Sequence, residues 1–315
     1  MVRWYISFHG GGDEAHAWNN IHAFDLDGKP LGKMLATDTL PHGLQLRELR
    51  GFAFGPDGDF YVANAYRNAS QVLQFGGEAD HDGQHPFRDV FVEQHHTNPG
   101  LSHPFDVAFG RDGHLYVPSQ DTNVVGRYYG PQAAPDDRGT PMPPPSALHD
   151  AGEGLLPGTF VPSEKHHRHG VRTVRRAIFG PKGTLFVADR DANSVKRYDG
   201  TTGAFLQEYR HHDLVTPVHL LWLAAEGRLL VGSRDRNAIL ALSPDDGAVS
   251  TVVAPDAGGL RGPAGMALGP DGMLYVSSRE GKQILRFDLA TGTPDPVPFI
   301  DALDDFPEFL APIGS

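Results

Sequence analysis

The chain has 315 residues and no cysteine, which excludes disulfides, thiolate metal sites and a cysteine nucleophile. A net charge of −12 lacks the basic footprint that nucleic acid demands. No run approaches the ~20 apolar residues of a membrane-spanning helix, and the opening MVRWYISFHGGG has no charged segment leading into a long apolar one, so a soluble, cytoplasmic protein is expected.

In chain order, Trp4 to Phe8, Ile21 to Phe24 and Met34 to Ala36 read as the second, third and fourth strands of a unit that lacks its first. Complete copies follow: LRGFAFGPDGDFYVANAYRNASQVLQF from Leu49, LSHPFDVAFGRDGHLYVPSQDTNVVGRY from Leu101, VRTVRRAIFGPKGTLFVADRDANSVKRY from Val171, TPVHLLWLAAEGRLLVGSRDRNAILAL from Thr216, and LRGPAGMALGPDGMLYVSSREGKQILRFD from Leu260. Each holds a short apolar strand, a tight turn, a second strand, a polar loop and a third strand, the pattern of antiparallel hairpins. A further apolar run follows each third strand, at Val90 to Val92, Thr159 to Val161, Phe205 to Tyr209, Thr251 to Val253 and Pro298 to Ile300. Four strands per repeat make a propeller blade. FPEFLAPIG, Phe306 to Gly314, matches the opening of the other copies and supplies the missing first strand.

The expected fold is therefore an all-β, six-bladed β-propeller of four-stranded antiparallel blades, closed by pairing of the N- and C-terminal strands, which removes exposed sheet edges. It would be one domain over 1–315, with a Pro-rich insertion at about 129–158 in the long connection from Tyr128 to Thr173. Proline at the density of Pro131 to Gly154 suggests an extended segment, either a lid or an interface arm.

Aligning the first strands places Phe309, Gly51, Asp106, Arg176, His219 and Gly265 at one level, with Ala311, Ala53, Ala108, Ile178, Leu221 and Ala267 as an apolar layer beneath. Two readings follow. Either Asp106 and Arg176 are a buried ion pair filling the channel, or they line a binding cup into which the two glycines leave open volume, with Asp106 or a histidine accepting a proton and Arg176 holding an anion.

Most of the 17 histidines fall in loops assigned to one face, among them His9, His16, His42, His95, His96, His103, His166, His167, His169, His211, His212 and His219, whereas His81, His85, His114 and His149 fall opposite. Neutral imidazole suits zinc, and a catalytic metal commonly takes three protein ligands. The candidate ligands are His103 and His219, which start first strands, with His42, His9 or His169 as the third. In an extended chain adjacent histidines point to opposite sides, so one of each pair, as in His211-His212, can aim at a shared site. The bland alternative is a polar, histidine-rich surface.

Pro263 to Leu268 with Leu274 to Ser277, and Leu185 to Asp189 with Asn193, resemble NHL repeats. That resemblance implies the propeller fold but spans several functions. Among similar propellers, the peptidyl-hydroxyglycine amidating lyase binds zinc through histidines at first-strand starts, and Pro41-His42-Gly43, His103-Pro104 and Pro217-Val218-His219 are loosely similar to its motifs. Gluconolactonases and streptogramin lyases are the other enzyme relatives; a gluconolactonase-like metal would imply Asp106, Asn64 and Glu48, although the usual Glu-Gly-Pro start is absent. The expected function is a divalent-metal-dependent lyase or hydrolase acting on a small polar molecule, with zinc as the metal. A gluconolactonase-like hydrolase and a non-enzymatic protein-binding scaffold are the alternatives.

Overall fold

Three of the turns share the sequence Gly-x-Asp-Gly-x-x-Tyr, and its chemistry explains the hairpins. Asp57, Asp112 and Asp271 each accept a backbone N–H two residues on through Oδ1, at 3.1–3.2 Å, and the hydroxyl of Tyr61, Tyr116 or Tyr275 through Oδ2, at 2.8–3.0 Å. The intervening glycines, such as Gly58 at φ 85°, take the left-handed conformation that the turn needs. One aspartate thus closes the turn and ties it to the strand that follows.

The protein, a computed structural model, is described over residues 2–10, 18–65, 69–148 and 154–314, so His16 and His149 lie outside the described residues. Those residues form six antiparallel sheets, the blades of a six-bladed β-propeller with almost no helix. The chain divides into two compact units. The first holds three blades. Blade 1 joins Pro307–Ile313, Arg3–Phe8, Ile21–Phe24 and Pro30–Lys33 in that order, blade 5 runs from Pro217–Leu223 to Val249–Val253, and blade 6 contains Pro263–Leu268, Leu274–Ser278 and Gln283–Phe287. Chain closure is in blade 1, where Arg3 pairs with Ile313, Tyr5 with Ala311 and Ile6 with Leu310. The second unit holds blade 2, from Leu49–Phe54 to Phe87–Glu93, blade 3, from Ala108–Phe109 to Thr159–Val161, and blade 4, from Val174–Phe179 to Phe205–Arg210.

The cores lie between successive blades of a unit. Tyr61, Val72, Leu115, Val117 and Tyr128 join blades 2 and 3, and Leu230, Ile239, Met266, Val276 and Phe287 join blades 5 and 6, all nearly inaccessible to solvent. This follows from the strand period of two, which gives each blade two apolar faces to cover.

Some expected elements differ. The fourth strand of blade 1 is Pro30–Lys33, not Met34 to Ala36, because Asp25 Oδ1 accepts the N–H groups of Asp27 and Lys29 and turns the chain at once. Leu35 and Ala36 instead bond to His85. In blade 6 the fourth strand shrinks to a bridge between Ile284 and Ile300. The first part of the Pro-rich segment is a hairpin, not an extended arm: Tyr129 N–H donates to Thr140 O and Met142 N–H to Arg127 O. Among the described residues, no helix is long and apolar enough to cross a membrane.

Candidate functional site

The first strands carry a β-bulge at the same level. In blade 4 the pairing passes from Val174–Asp189 to Ala177–Val187, in blade 5 from Pro217–Ser233 to Leu220–Val231, and in blade 6 from Pro263–Ser278 to Met266–Val276. Two residues on the first strand then face one on the second, so Arg176, His219 and Gly265 occupy equivalent bulge positions. Blade 3 skips likewise between Pro104–Ser119 and Ala108–Tyr116, placing Asp106 there, and blade 1 between Phe8–Pro307 and Ile6–Leu310, placing Phe309 there. A bulge re-aims side chains out of the pleat, which lets polar residues such as Asp106, Arg176 and His219 stand at this level.

Within the second unit the bulges of blades 3 and 4 meet. Arg175 lies over the Phe105 ring at 5.3 Å, and Arg176 Nε lies 3.3 Å from Asp106 Oδ2. Asp106 Oδ1 accepts the N–H of Val107 at 2.9 Å. The side chain of Asp106 is 2% exposed and that of Arg176 23%, so a buried carboxylate lies beside a partly exposed arginine. Burial raises the Asp106 carboxyl from its ordinary 3.8 to about 6, against the opposing pull of Arg176 and the Val107 N–H. Burial also lowers Arg176, which Asp106 partly offsets.

The glycines at this level do not leave open volume. A Cβ on Gly51 would fall 1.9 Å from Asp106 Oδ1 and 2.7 Å from its Cα, and one on Gly265 2.3 Å from Glu308 O. They let neighbouring first strands approach. Gly51→Ala should therefore destabilise the protein by about 1–3 kcal/mol through overpacking; an unchanged denaturant midpoint would show that the Asp106 strand yields without cost.

The five histidines are distributed between the units. His219 is fully buried, its ring 5.2 Å from Phe309, and His9 Nδ1 lies 3.3 Å from Glu308 Oε1. In the second unit, His103 has φ 55° and places Nδ1 3.7 Å from Asp121 Oδ1, while exposed His42 lines a groove with Gln71 and Glu93. His169 stacks on Phe205 at 4.3 Å beside His167, in a cavity of about 560 Å³ also lined by His166 and Arg168. Burial, then the nearby Arg168 cation, holds its pKa low. Among the described residues, the groups of three compact enough for a metal are His211–His212–Asp213 and Asp80–His81–Asp82, which contain none of the five. Of the gluconolactonase-like set, Asn64 is buried and its amide donates to Gln45 O at 2.9 Å and Gln71 Oε1 at 3.3 Å.

One contact was missed in the sequence. Arg279 Nε donates to the buried carboxylate of Glu308 at 2.7 Å, the same Oε1 that faces His9. Its signal was the arginine-acid pair that directly follows several second strands, Arg190-Asp191, Arg234-Asp235 and Arg279-Glu280. The His211-His212 pair departs from its expectation: the rings lie 4.1 Å apart and both face Asp213 instead of pointing to opposite sides. The strand ends at Arg210 and the pair sits in a turn, where alternation no longer holds.

No protein-family profile and no curated protein matches the chain. Among solved structures, it is similar to the nidogen/laminin complex (13% identity, TM-score 0.63, 99% of this chain and 98% of that one). It is similar also to the periplasmic gluconolactonase of Pseudomonas aeruginosa (15%, TM-score 0.60, 100% and 99%) and to a streptogramin B lyase (14%, TM-score 0.59, 98% and 91%). These likenesses establish the fold.

Proposed function

We propose that this chain is a hydrolase acting on a small polar molecule, a sugar lactone being the representative class, at the bulges of blades 3 and 4. The observation that carries the reading is the Asp106 carboxyl, raised to about 6 by burial beside a partly exposed Arg176. A general base works best with a pKa near the operating pH, and most of this carboxyl is ionised at neutrality. With 2% of its side chain exposed, Asp106 can be reached by little more than water, whereas the guanidinium beside it can meet a developing oxyanion. In this reading Asp106 takes a proton from water as the water oxygen bonds to the lactone carbonyl carbon. The ring C–O bond then breaks, and the proton passes to the departing ring oxygen.

Similarity to a gluconolactonase and to a streptogramin B lyase supports this class. Among the described residues, none of His9, His42, His103, His169 and His219 belongs to a compact group of three donors, and no step is routed through a metal. The test is ring opening of a panel of aldonolactones, followed by acid release. Activity should rise as pH passes about 6 and fall at least 10²-fold in Asp106→Asn. Turnover equal in parent and variant would remove Asp106 from the chemistry. Silence across the panel, with carbon–oxygen lyase substrates included, would favour the protein-binding scaffold, to which the likeness to the nidogen/laminin complex belongs.

A further inference from the structure

The geometry points to a divalent transition-metal site, of the zinc class, in the turn His211-His212-Asp213 that leaves the last strand of blade 4. His212 Nε2 lies 3.1 Å and His211 Nδ1 3.7 Å from Asp213 Oδ2, and the three donors all lie within 4.8 Å of one another. Donors bound to one tetrahedral zinc at ~2.0–2.1 Å stand about 3.3 Å apart, so small ring rotations bring all three to bonding distance. No other chain segment has to move.

Several contacts hold the donors ready. Arg236 pairs with Asp213 Oδ1, which leaves Oδ2 turned toward both imidazoles. Such an outer partner orients a ligating carboxylate. The N–H of Asp213 donates to His211 Nδ1 at 3.2 Å, so binding of an ion at that nitrogen exchanges this one hydrogen bond for the bond to the metal. The turn is anchored from below: Ser233 Oγ, on a fully buried residue, donates to Asp213 O at 2.7 Å and accepts the N–H of Val215 at 3.0 Å, and Leu214 is fully buried. The side chain of His212 is 80% exposed, so an ion can enter and the open coordination positions face solvent. The acidic chain, with its net charge of −12, favours a cation. The Asp80–His81–Asp82 group differs in its setting, because all three of its residues are exposed, whereas His211 and Asp213 are half-buried.

The experiment uses full-length, untagged protein stripped with a chelator and titrated calorimetrically with zinc ion alone. One zinc per chain should bind, at least tenfold more weakly in His211→Ala and His212→Ala, and unchanged in His167→Ala, which removes an imidazole from the other histidine-rich loop. Zinc should also raise the melting temperature of the parent but not of His212→Ala; the exposure of His212 leaves the apo variant folded, and its metal-free melting curve verifies this. Equal zinc affinity in parent and His212→Ala, an equal loss in His167→Ala, or no stoichiometric binding would each overturn the site.

Discussion

Arg176→Met is expected to destabilise the protein by about 3–5 kcal/mol at pH 8, the cost of stranding one member of a buried pair, and by much less at pH 5. The sign follows from Asp106, whose folded pKa is raised from 3.8 to about 6. A raised carboxyl contributes stability that is fully present below its unfolded pKa and is lost as pH rises through the folded one. For the parent this loss spans about pH 4 to 6 and amounts to about 3 kcal/mol, from roughly two pKa units. Without Arg176 the carboxyl loses its counter-charge and its pKa rises further, so ionisation above neutrality becomes costlier. At pH 5 Asp106 is largely protonated with or without Arg176, and the methionine loses little because the carboxyl carries no charge for the guanidinium to balance. Denaturant unfolding of both proteins at pH 5 and pH 8 measures the difference. A pH-independent cost would mean that the charge of Asp106 is not what Arg176 balances, and Asp106→Asn should rescue Arg176→Met at pH 8 if it is.

Deleting residues 306–315 should abolish cooperative unfolding and cause aggregation. The deleted strand Pro307–Ile313 pairs along Arg3–Phe8, and its loss would uncover Trp4, Ile6 and Phe8, all fully buried. Each large apolar side chain returned to water costs about 1.5–3 kcal/mol, and the exposed strand edge is a template for pairing with another chain. Leu310→Ala, which leaves the strand in place, should cost about 2–5 kcal/mol and keep a single transition. Calorimetry with size-exclusion chromatography separates these cases; a truncated chain that melts like the parent would show that the closing strand is dispensable.

The level shared by Asp106, Arg176, His219 and Gly265 was legible because the repeats align on their turns, and the common bulge preserves that alignment in the pairing registers. The bulge itself was not legible, since nothing in the composition of Arg175-Arg176 or Val218-His219 marks an extra residue. The glycines were misread for the same reason. Gly51 looks like empty space along one strand, but it is filled by the Asp106 backbone of the next blade.

By itself, the sequence determined the blades, the turns and the closure of the chain, because each depends on contacts a few residues apart: Asp57 with Tyr61, the apolar alternation of a strand, the match of Phe306 to Gly314 with other first strands. Which polar groups meet was decided only by the tertiary structure. Asp106 and Arg176 lie in different repeats, and the turn that brings the donors of His211 to Asp213 together is held by Ser233 and Arg236 from another strand and loop. The position of a charge along a repeat says where it stands; its partner, its burial and hence its pKa come from the neighbouring blade, to which local periodicity carries no information.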